Sequence, residues 1–422
     1  MMEPKQTAVI VGVDLNDEHQ FQYSMEELRN LAAACGVETV GEVTQRMNRV
    51  NASHYIGTGK VQELSAMLKQ HDAQMAIFND ELSPSQIRNL EAALECKVID
   101  RTLLVLDIFA ERAKTREAQL QVEIARLQYM LPRLVGLKES LGRQRGGVGT
   151  KNRGSGETKL ELNRRRIEEK IVALNKELEA LVSQRQIQRK RRKRNDVPVV
   201  CLVGYTNTGK STIMNAVLDA FSPSGDKQVF AKDMLFATLE TSVRSIELPD
   251  RKMFLLTDTV GFISKLPHYL IKAFRSTLEE VSEADLLVHV VDYSNPGYER
   301  MIAVTKETLK ELGADGIPVV YAYNKAEVRA DLELPFVQNN CVYMSAKQHV
   351  GIDELAGLIR ERIFHDYVQC EMLIPFDQGR LLAYFNNHAQ VLATSYVENG
   401  TKLTLECKKV DYVKHRKFVV QT

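Results

Sequence analysis

The sequence predicts a multidomain α/β protein in four parts. These are a small N-terminal parallel α/β domain (1–107), an antiparallel helical hairpin (108–195), a P-loop domain with a mostly parallel sheet (196–366), and a small C-terminal α+β unit (367–422). Three observations predict this. Short apolar runs alternate with helical patterns at both ends of the chain. Two heptad seams fill the stretch after the first α/β pattern. A glycine-rich loop, Gly204-Tyr205-Thr206-Asn207-Thr208-Gly209-Lys210-Ser211-Thr212, follows an apolar run directly.

In the first part, residues 8–13, 38–43, 75–79 and 96–100 read as short buried strands. The sequence Ser24-x-x-Glu27 fits a capping box that opens a helix, and Ser83-Pro84 starts another with proline near its first position. Strands that alternate with helices imply a parallel sheet. In the second part, Leu120, Ile124, Leu127, Leu131 and Leu134 repeat at four-three spacing, as do Ile167, Ile171, Leu174, Leu178 and Leu181. Two seams of similar length read as a hairpin of helices, with Pro132 kinking the first. The tip, 142–158, is rich in Gly, Arg and Lys. Between Arg133 and Asn195 there are 19 Lys/Arg against 7 Asp/Glu. Arg143, Arg145, Lys151, Arg153 and Lys159 are the candidate RNA-contacting residues, because Arg and Lys neutralise phosphates and glycines let the backbone approach. The other reading of the tip is a solvated loop, and the basic run 189–194 reads equally as a linker before Pro198. In the last part, 371–374, 379–388, 391–397 and 402–407 suggest a β-α-β-β unit, with Asn399-Gly400 as a hairpin signal.

Composition excludes some function classes. Among 422 residues 44% are hydrophobic and 26% charged, and no apolar run approaches the roughly 20 residues that cross a bilayer. No basic stretch leads into an apolar one at the start, so a cytoplasmic location with no membrane partner is expected. Six scattered cysteines form no C-x-x-C pair, and nine histidines show no H-E-x-x-H spacing, so neither zinc nor a disulfide framework is indicated. The net charge of +1 names no partner by itself.

The glycine-rich loop carries the chemistry. Its backbone N–H groups can wrap phosphates at the mouth of a helix, Lys210 can reach the β- and γ-phosphates, and Ser211 can ligate Mg²⁺. Four further strings follow in order. Phe236-Ala237-Thr238 places a threonine to meet Mg²⁺ and sense the γ-phosphate. Asp258-Thr259-Val260-Gly261 ends a strand, with Asp258 for Mg²⁺ and Gly261 for the γ-phosphate. Asn324-Lys325-Ala326-Glu327 and Ser345-Ala346-Lys347 end two more strands and would read the base. That set makes the third part a P-loop GTPase domain. Ser211, Thr238 and Asp258 are the expected metal ligands; Lys210, Thr238 and Gly261 are the expected catalytic group. The segments 222–238 and 258–268 are the expected nucleotide-ordered switches. Glu327 stands one methylene longer than the usual Asp, which leaves ATP use open beside GTP. Phe262 replaces the Gln that orients water elsewhere, so hydrolysis is expected to need outside help. Asn207 suits a K⁺ site between the phosphates, or only the loop's own turn.

Several local strings resemble the HflX family of ribosome-associated GTPases. They are Tyr55-Ile56-Gly57-Thr58-Gly59-Lys60, Leu82-Ser83-Pro84-Ser85-Gln86, Val98-Ile99-Asp100-Arg101-Thr102, Asp107-Ile108-Phe109-Ala110, the phosphate loop, Phe236-Ala237-Thr238-Leu239, Asp258-Thr259-Val260-Gly261-Phe262-Ile263 and Arg153-Gly154-Ser155-Gly156-Glu157-Thr158. The resemblance spans nearly the whole chain. It departs at Ser155 (family Pro), Lys159 (family Gln), Glu240 (family Asp) and a lengthened 150–153. It implies binding to the large ribosomal subunit, with the N-terminal domain and hairpin tip near the peptidyl-transferase centre. It further implies separation of stalled or idle ribosomes by the nucleotide-bound form, hydrolysis stimulated by the subunit, and some use of ATP. Apart from the resemblance, a monomer is expected. The rival readings are a nucleotide-dependent adaptor whose heptads pair with a partner helix, and a pseudo-GTPase that binds without hydrolysing.

Overall fold

The computed structural model describes residues 6–15, 18–143, 153–194, 197–221, 242–250, 252–265, 270, 280–329 and 332–420. Four strands form the first sheet: β1 (Thr7–Asp14), β2 (Glu38–Arg46), β3 (Met75–Phe78) and β4 (Lys97–Asp100). All are parallel, in spatial order β2-β1-β3-β4. Helices α1 (Glu18–Ala34) and α4 (Arg101–Arg112) cover one face; α2 (Thr58–Gln70) and α3 (Pro84–Leu94) cover the other. The period-two rule divides β1 between them. Ala8 and Ile10 join Leu28, Leu31 and Leu104 on one side, while Val9 and Val11 join Leu64, Leu68 and Leu90 on the other. Burial on both faces is why these strands are continuous apolar runs.

The two expected caps fared differently. Helix α3 begins as expected: Ser83 Oγ accepts from Gln86 N at 3.2 Å, Gln86 Oε1 accepts from Ser83 N at 2.9 Å, and Pro84 takes the first turn. The Ser24–Glu27 capping box does not exist. Both residues lie inside α1 and are buried; Ser24 Oγ donates to Asn79 Oδ1 at 3.1 Å, and Glu27 pairs with Arg101. The α1 helix starts two turns earlier, and tertiary partners claimed the side chains that a cap would have used.

The hairpin is α5 (Arg116–Arg143) and α6 (Arg153–Arg194). Leu120, Ile124 and Leu127 pack against Ile171, Leu174, Leu178 and Leu181. Ion pairs Arg116–Glu177 at 2.7 Å and Glu123–Lys170 at 2.6 Å fix the antiparallel register. Leu131, Leu134 and Ile167 lie outside that cluster. Pro132 sits inside α5, which continues past it. The neighbouring Arg133 ties α5 to the first domain: its guanidinium lies 3.2 Å from the Tyr129 ring centroid and donates to Asp100 Oδ2 and Leu82 O, each at 3.1 Å. The basic run 189–194, readable as a linker, is the helical end of α6.

The second sheet-bearing unit contains β5 (Val199–Val203), α7 (Lys210–Phe221), β6 (Ser242–Glu247), β7 (Met253–Asp258), β8 (Leu286–Asp292) and α8 (Tyr298–Glu311). It continues with β9 (Val319–Asn324), β10 (Phe336–Gln338), β11 (Cys341–Tyr343) and α9 (Ile352–Ile363). The order is β10-β11-β9-β8-β5-β7-β6, with only the two outer strands antiparallel to their neighbours. The C-terminal unit is an antiparallel sheet β12-β14-β13, made of β12 (Tyr367–Ile374), β13 (Gln390–Val397) and β14 (Gly400–Lys408). Helices α10 (Gly379–His388) and α11 (Lys409–Lys414) accompany it around a small core of Met372, Phe385, Leu403 and Leu405. Val397 pairs with Gly400 across the expected hairpin. Among the described residues no helix is long and apolar enough to cross a membrane.

Candidate nucleotide site and its inter-domain lock

The loop after β5 turns sharply enough that two positions tolerate only glycine. Gly204 has φ +145° with the Val290 carbonyl where a Cβ would stand, and Gly209 has φ +93° with the Asn324 amide in the same place. Asn207 takes a left-handed φ of +60°, so its role in the loop's own turn is met. Thr208 Oγ1 donates to Tyr205 O at 3.1 Å and closes the turn.

Lys210 opens α7, buried beneath this loop. Its ammonium donates to Tyr205 O at 2.6 Å and to Gly204 O at 3.2 Å. Burial pulls its pKa down to about 8, and Asp258 opposes that pull. Ser211 Oγ donates to Asp258 Oδ2 at 2.6 Å, and Asp258 is fully buried at the end of β7. A hydroxyl beside a buried carboxylate is a hard-oxygen donor set, which fits Mg²⁺. Bound there, the ion would supply charge neutralisation for the phosphates.

The segment after Asp258 lies along the phosphate loop. Thr206 N donates to Phe262 O at 2.8 Å and Phe262 N donates to Gly204 O at 3.1 Å, which makes a short parallel bridge. Gly261 sits so close that a Cβ would stand 2.7 Å from Thr206 Cα and 3.0 Å from Lys210 Nζ. The Phe262 ring is buried in the core.

At the end of β9, Asn324 joins three loops. Its Nδ2 donates to Thr208 O, and its Oδ1 accepts from Ala346 N, both at 2.9 Å. Lys325 Nζ donates to Asn207 O at 2.8 Å. Ser345 and Ala346 are buried and Lys347 is exposed. Glu327 is half-buried, and its Oε2 is buried with no hydrogen-bond partner among the described residues. A buried acceptor without a donor is costly in isolation and suits a ligand N–H. The loops at 204–212, 258–262, 324–327 and 345–347 therefore meet in one crevice. Phe236, Ala237 and Thr238 lie outside the described residues, as do 266–268 of the second expected switch and Arg145 and Lys151 of the tip. The side chains of Arg143, Arg153 and Lys159 also lie outside them.

Sequence reasoning missed a lock between the first and third domains. Glu27, on α1, is buried. It accepts hydrogen bonds from Arg101, from the Tyr205 hydroxyl and from Ser264 Oγ, the last at 2.6 Å. Ser264 N donates to the Tyr205 hydroxyl oxygen at 2.7 Å. Lys265 Nζ reaches Asp80 Oδ1 at 2.6 Å. Burial and the Glu27 charge both push the Tyr205 phenol pKa upward, so it remains a donor. The apolar cluster under α1 continues through Tyr205, Phe262 and Ile263. The contact lies off the C-terminal ends of β1, β3 and β4, where open parallel sheets usually seat ligands. Here the third domain fills that position. No local pattern singles this pair out, because Glu27 stands beside Glu26 and Arg29 in α1, and α4 carries Asp107, Glu111 and Arg112 as well as Arg101.

A mostly parallel sheet whose strand ends gather a glycine-rich phosphate loop, a Ser/Asp oxygen pair and an Asn-Lys-x-Glu loop defines the class of P-loop GTPases. The chain belongs to the HflX GTPase family. It is 42% identical over 99% of its length to GTPase HflX of Caldanaerobacter subterraneus, covering 94% of that protein. It is 37% identical over 95% of its length to GTPase HflX of Escherichia coli, covering 93% of that one. Family models match residues 22–110 (GTP-binding GTPase N-terminal), 112–192 (GTP-binding GTPase middle region) and 199–325 (50S ribosome-binding GTPase). A solved GTP-binding protein from Sulfolobus solfataricus in complex with GDP shares 24% identity, covering 85% of this chain and 99% of that one, with a TM-score of 0.43. The protein is thus a GTPase of a ribosome-binding GTPase family, and GTP is its substrate.

Proposed function

We propose that this GTPase is a nucleotide-controlled switch on ribosomes. In its GTP-bound state it binds the large ribosomal subunit and promotes dissociation of stalled or idle ribosomes; hydrolysis then releases it. It acts as a cytoplasmic monomer. Mg²⁺ is held by Ser211, Thr238 and Asp258. Lys210 and Gly261 bind the γ-phosphate, and Asn324, Lys325, Glu327 and the Ser345-Ala346-Lys347 loop read the base. K⁺ at Asn207 supplies charge between the phosphates, and contact with the subunit completes hydrolysis where Phe262 cannot orient water. Arg143, Arg145, Lys151, Arg153 and Lys159 meet ribosomal RNA at the hairpin tip.

The observation that carries this reading is the bonding of Ser264 and Tyr205 to Glu27. A γ-phosphate that draws Gly261 toward itself pulls on a segment fastened to the N-terminal domain, so nucleotide state and domain placement are one equilibrium. The packing of Leu120, Ile124, Ile171 and Leu174 against one another within the hairpin favours this reading over an adaptor whose heptads pair with a partner helix.

The test is steady-state hydrolysis of GTP and of ATP, in K⁺ and in Na⁺, with and without purified large subunits. Strong stimulation by the subunits with GTP preferred supports the switch. GTP turnover unaffected by ribosomal subunits overturns it.

A further inference from the structure

Asp292, the last residue of β8, has a carboxylate that the catalytic reading leaves without a task. It stands in register with Asn324 on β9, one strand away from the phosphate-loop strand. Oδ2 accepts from Lys325 Nζ at 2.7 Å, and Oδ1 accepts from Ser294 N at 3.1 Å and Ser294 Oγ at 2.5 Å. Tyr293 N donates to Asn324 O at 2.9 Å, and the Arg329 guanidinium lies 4.0 Å from the Tyr293 ring centroid. The turn that carries the carboxylate is therefore fixed from both sides. The side chain of Asp292 is 15% exposed and that of Lys325 30%.

Lys325 is unusual in its own backbone. It takes a left-handed φ of +60°, which a lysine adopts only under constraint. Its ammonium is held at two points, the Asn207 carbonyl at 2.8 Å and the Asp292 carboxylate. A lysine fastened at its head and its Cα presents its four-carbon stem as a stationary apolar strip. That strip connects the base loop to the phosphate loop. Free in solvent, the same side chain keeps its rotamer freedom. One neutral carbonyl is a weaker tether than a carbonyl together with a carboxylate.

We propose that Asp292 is a positioning residue for nucleotide recognition: it locks Lys325 against the phosphate loop so that the lysine stem forms a preformed wall for the purine ring. This rests on the reading that Lys325 borders the base. A flat apolar wall packs against either purine, so Asp292 sets affinity, while discrimination between purines belongs to Glu327.

The experiment uses the full-length protein with Mg²⁺, comparing wild type with Asp292→Ala, Asp292→Asn, Lys325→Met, Lys325→Ala and the double variant Asp292→Ala/Lys325→Met. Affinities for GDP, GTP and ATP come from calorimetry, and kcat and KM for GTP from turnover. Asp292→Ala should weaken all three nucleotides by a similar factor, about tenfold. It should raise KM in proportion and change kcat less than twofold. Asp292→Asn, which keeps an acceptor oxygen, should recover part of the loss. In the Lys325→Met background, which keeps the stem but lacks the ammonium, removing Asp292 should add almost nothing. Full additivity of the two losses overturns the proposal, as does a matching fall in kcat. If Lys325→Met leaves every affinity unchanged, the tether has no role and the proposal is overturned; if Lys325→Ala does so as well, the base-site reading beneath it fails. If Lys325→Met weakens binding but Asp292→Ala does not, the failure belongs to Asp292 alone.

Discussion

Glu27 of the N-terminal domain accepts a hydrogen bond from the hydroxyl of Tyr205, a residue of the phosphate loop itself. The same carboxylate pairs with Arg101, and both side chains are almost wholly buried, at 3% and 2% exposure. A buried pair of this kind is expensive to break from one side, because the partner is left charged and unpaired.

Glu27→Ala should therefore cost about 3–5 kcal/mol of stability, measured by urea unfolding of the full chain. Replacing both partners with apolar residues, as in Glu27→Met/Arg101→Leu, should recover much of that loss. A double variant as unstable as Glu27→Ala would mean that the carboxylate matters through Tyr205 and Ser264 rather than through Arg101.

Lys210 has a pKa drawn down to about 8 by burial. If phosphate oxygens meet this ammonium, they favour its charged form and raise its pKa in the nucleotide complex. Binding then takes up a proton above about pH 8, and affinity should fall as pH rises beyond that point, by up to tenfold per unit. Titrations of GDP with Mg²⁺ from pH 7 to 9.5 check this. Calorimetry in buffers of different ionisation enthalpy reads the proton uptake directly.

His289 sits in β8 beside Tyr321, with ring centroids 5.3 Å apart, and burial holds its pKa down at about 3. It is neutral when folded. A base with a depressed folded pKa gives its full stability above about pH 6.5 and loses it as pH falls toward about 3, at about 1.4 kcal/mol per unit. His289→Phe keeps a ring against Tyr321 and should flatten this acid limb. The difference in unfolding free energy between pH 7 and pH 5 should shrink by about 2 kcal/mol relative to wild type.

Glu327 carries a buried oxygen with no hydrogen-bond partner among the described residues. If that oxygen meets the purine edge, Glu327→Asp should raise the preference for GTP over ATP, by shortening the reach to the usual length. Competition binding with both nucleotides measures the ratio, and an unchanged ratio would show that Glu327 does not read the base.

Neutralising Arg143, Arg145 and Arg153 together should weaken association with large subunits and flatten its salt dependence, because each lost phosphate contact lowers the slope. Sedimentation with subunits at several salt concentrations reads this, and basal GTP hydrolysis should persist. Collapse of basal hydrolysis would place the hairpin in support of the GTPase domain.

Much of this was determined by the sequence alone. Strand runs such as Val9–Ile10–Val11 and Val199–Val203 are buried on both faces, and an apolar run can report that without any knowledge of its partners. The Ser83–Gln86 cap, the seam of Leu120 with Leu174, and the phosphate loop are local or periodic, so spacing along the chain encodes them. What only the tertiary structure decided are pairings across long separations. Ser24 and Glu27 read as a cap because their spacing fits one, yet Asn79 and Arg101 claim them across the sheet. Ser264 and Tyr205 meet Glu27 across more than 170 residues, and Asp292 meets Lys325 through strand register rather than sequence proximity. A buried charge is stabilised by whichever partner the fold delivers, and a linear pattern carries no record of that delivery.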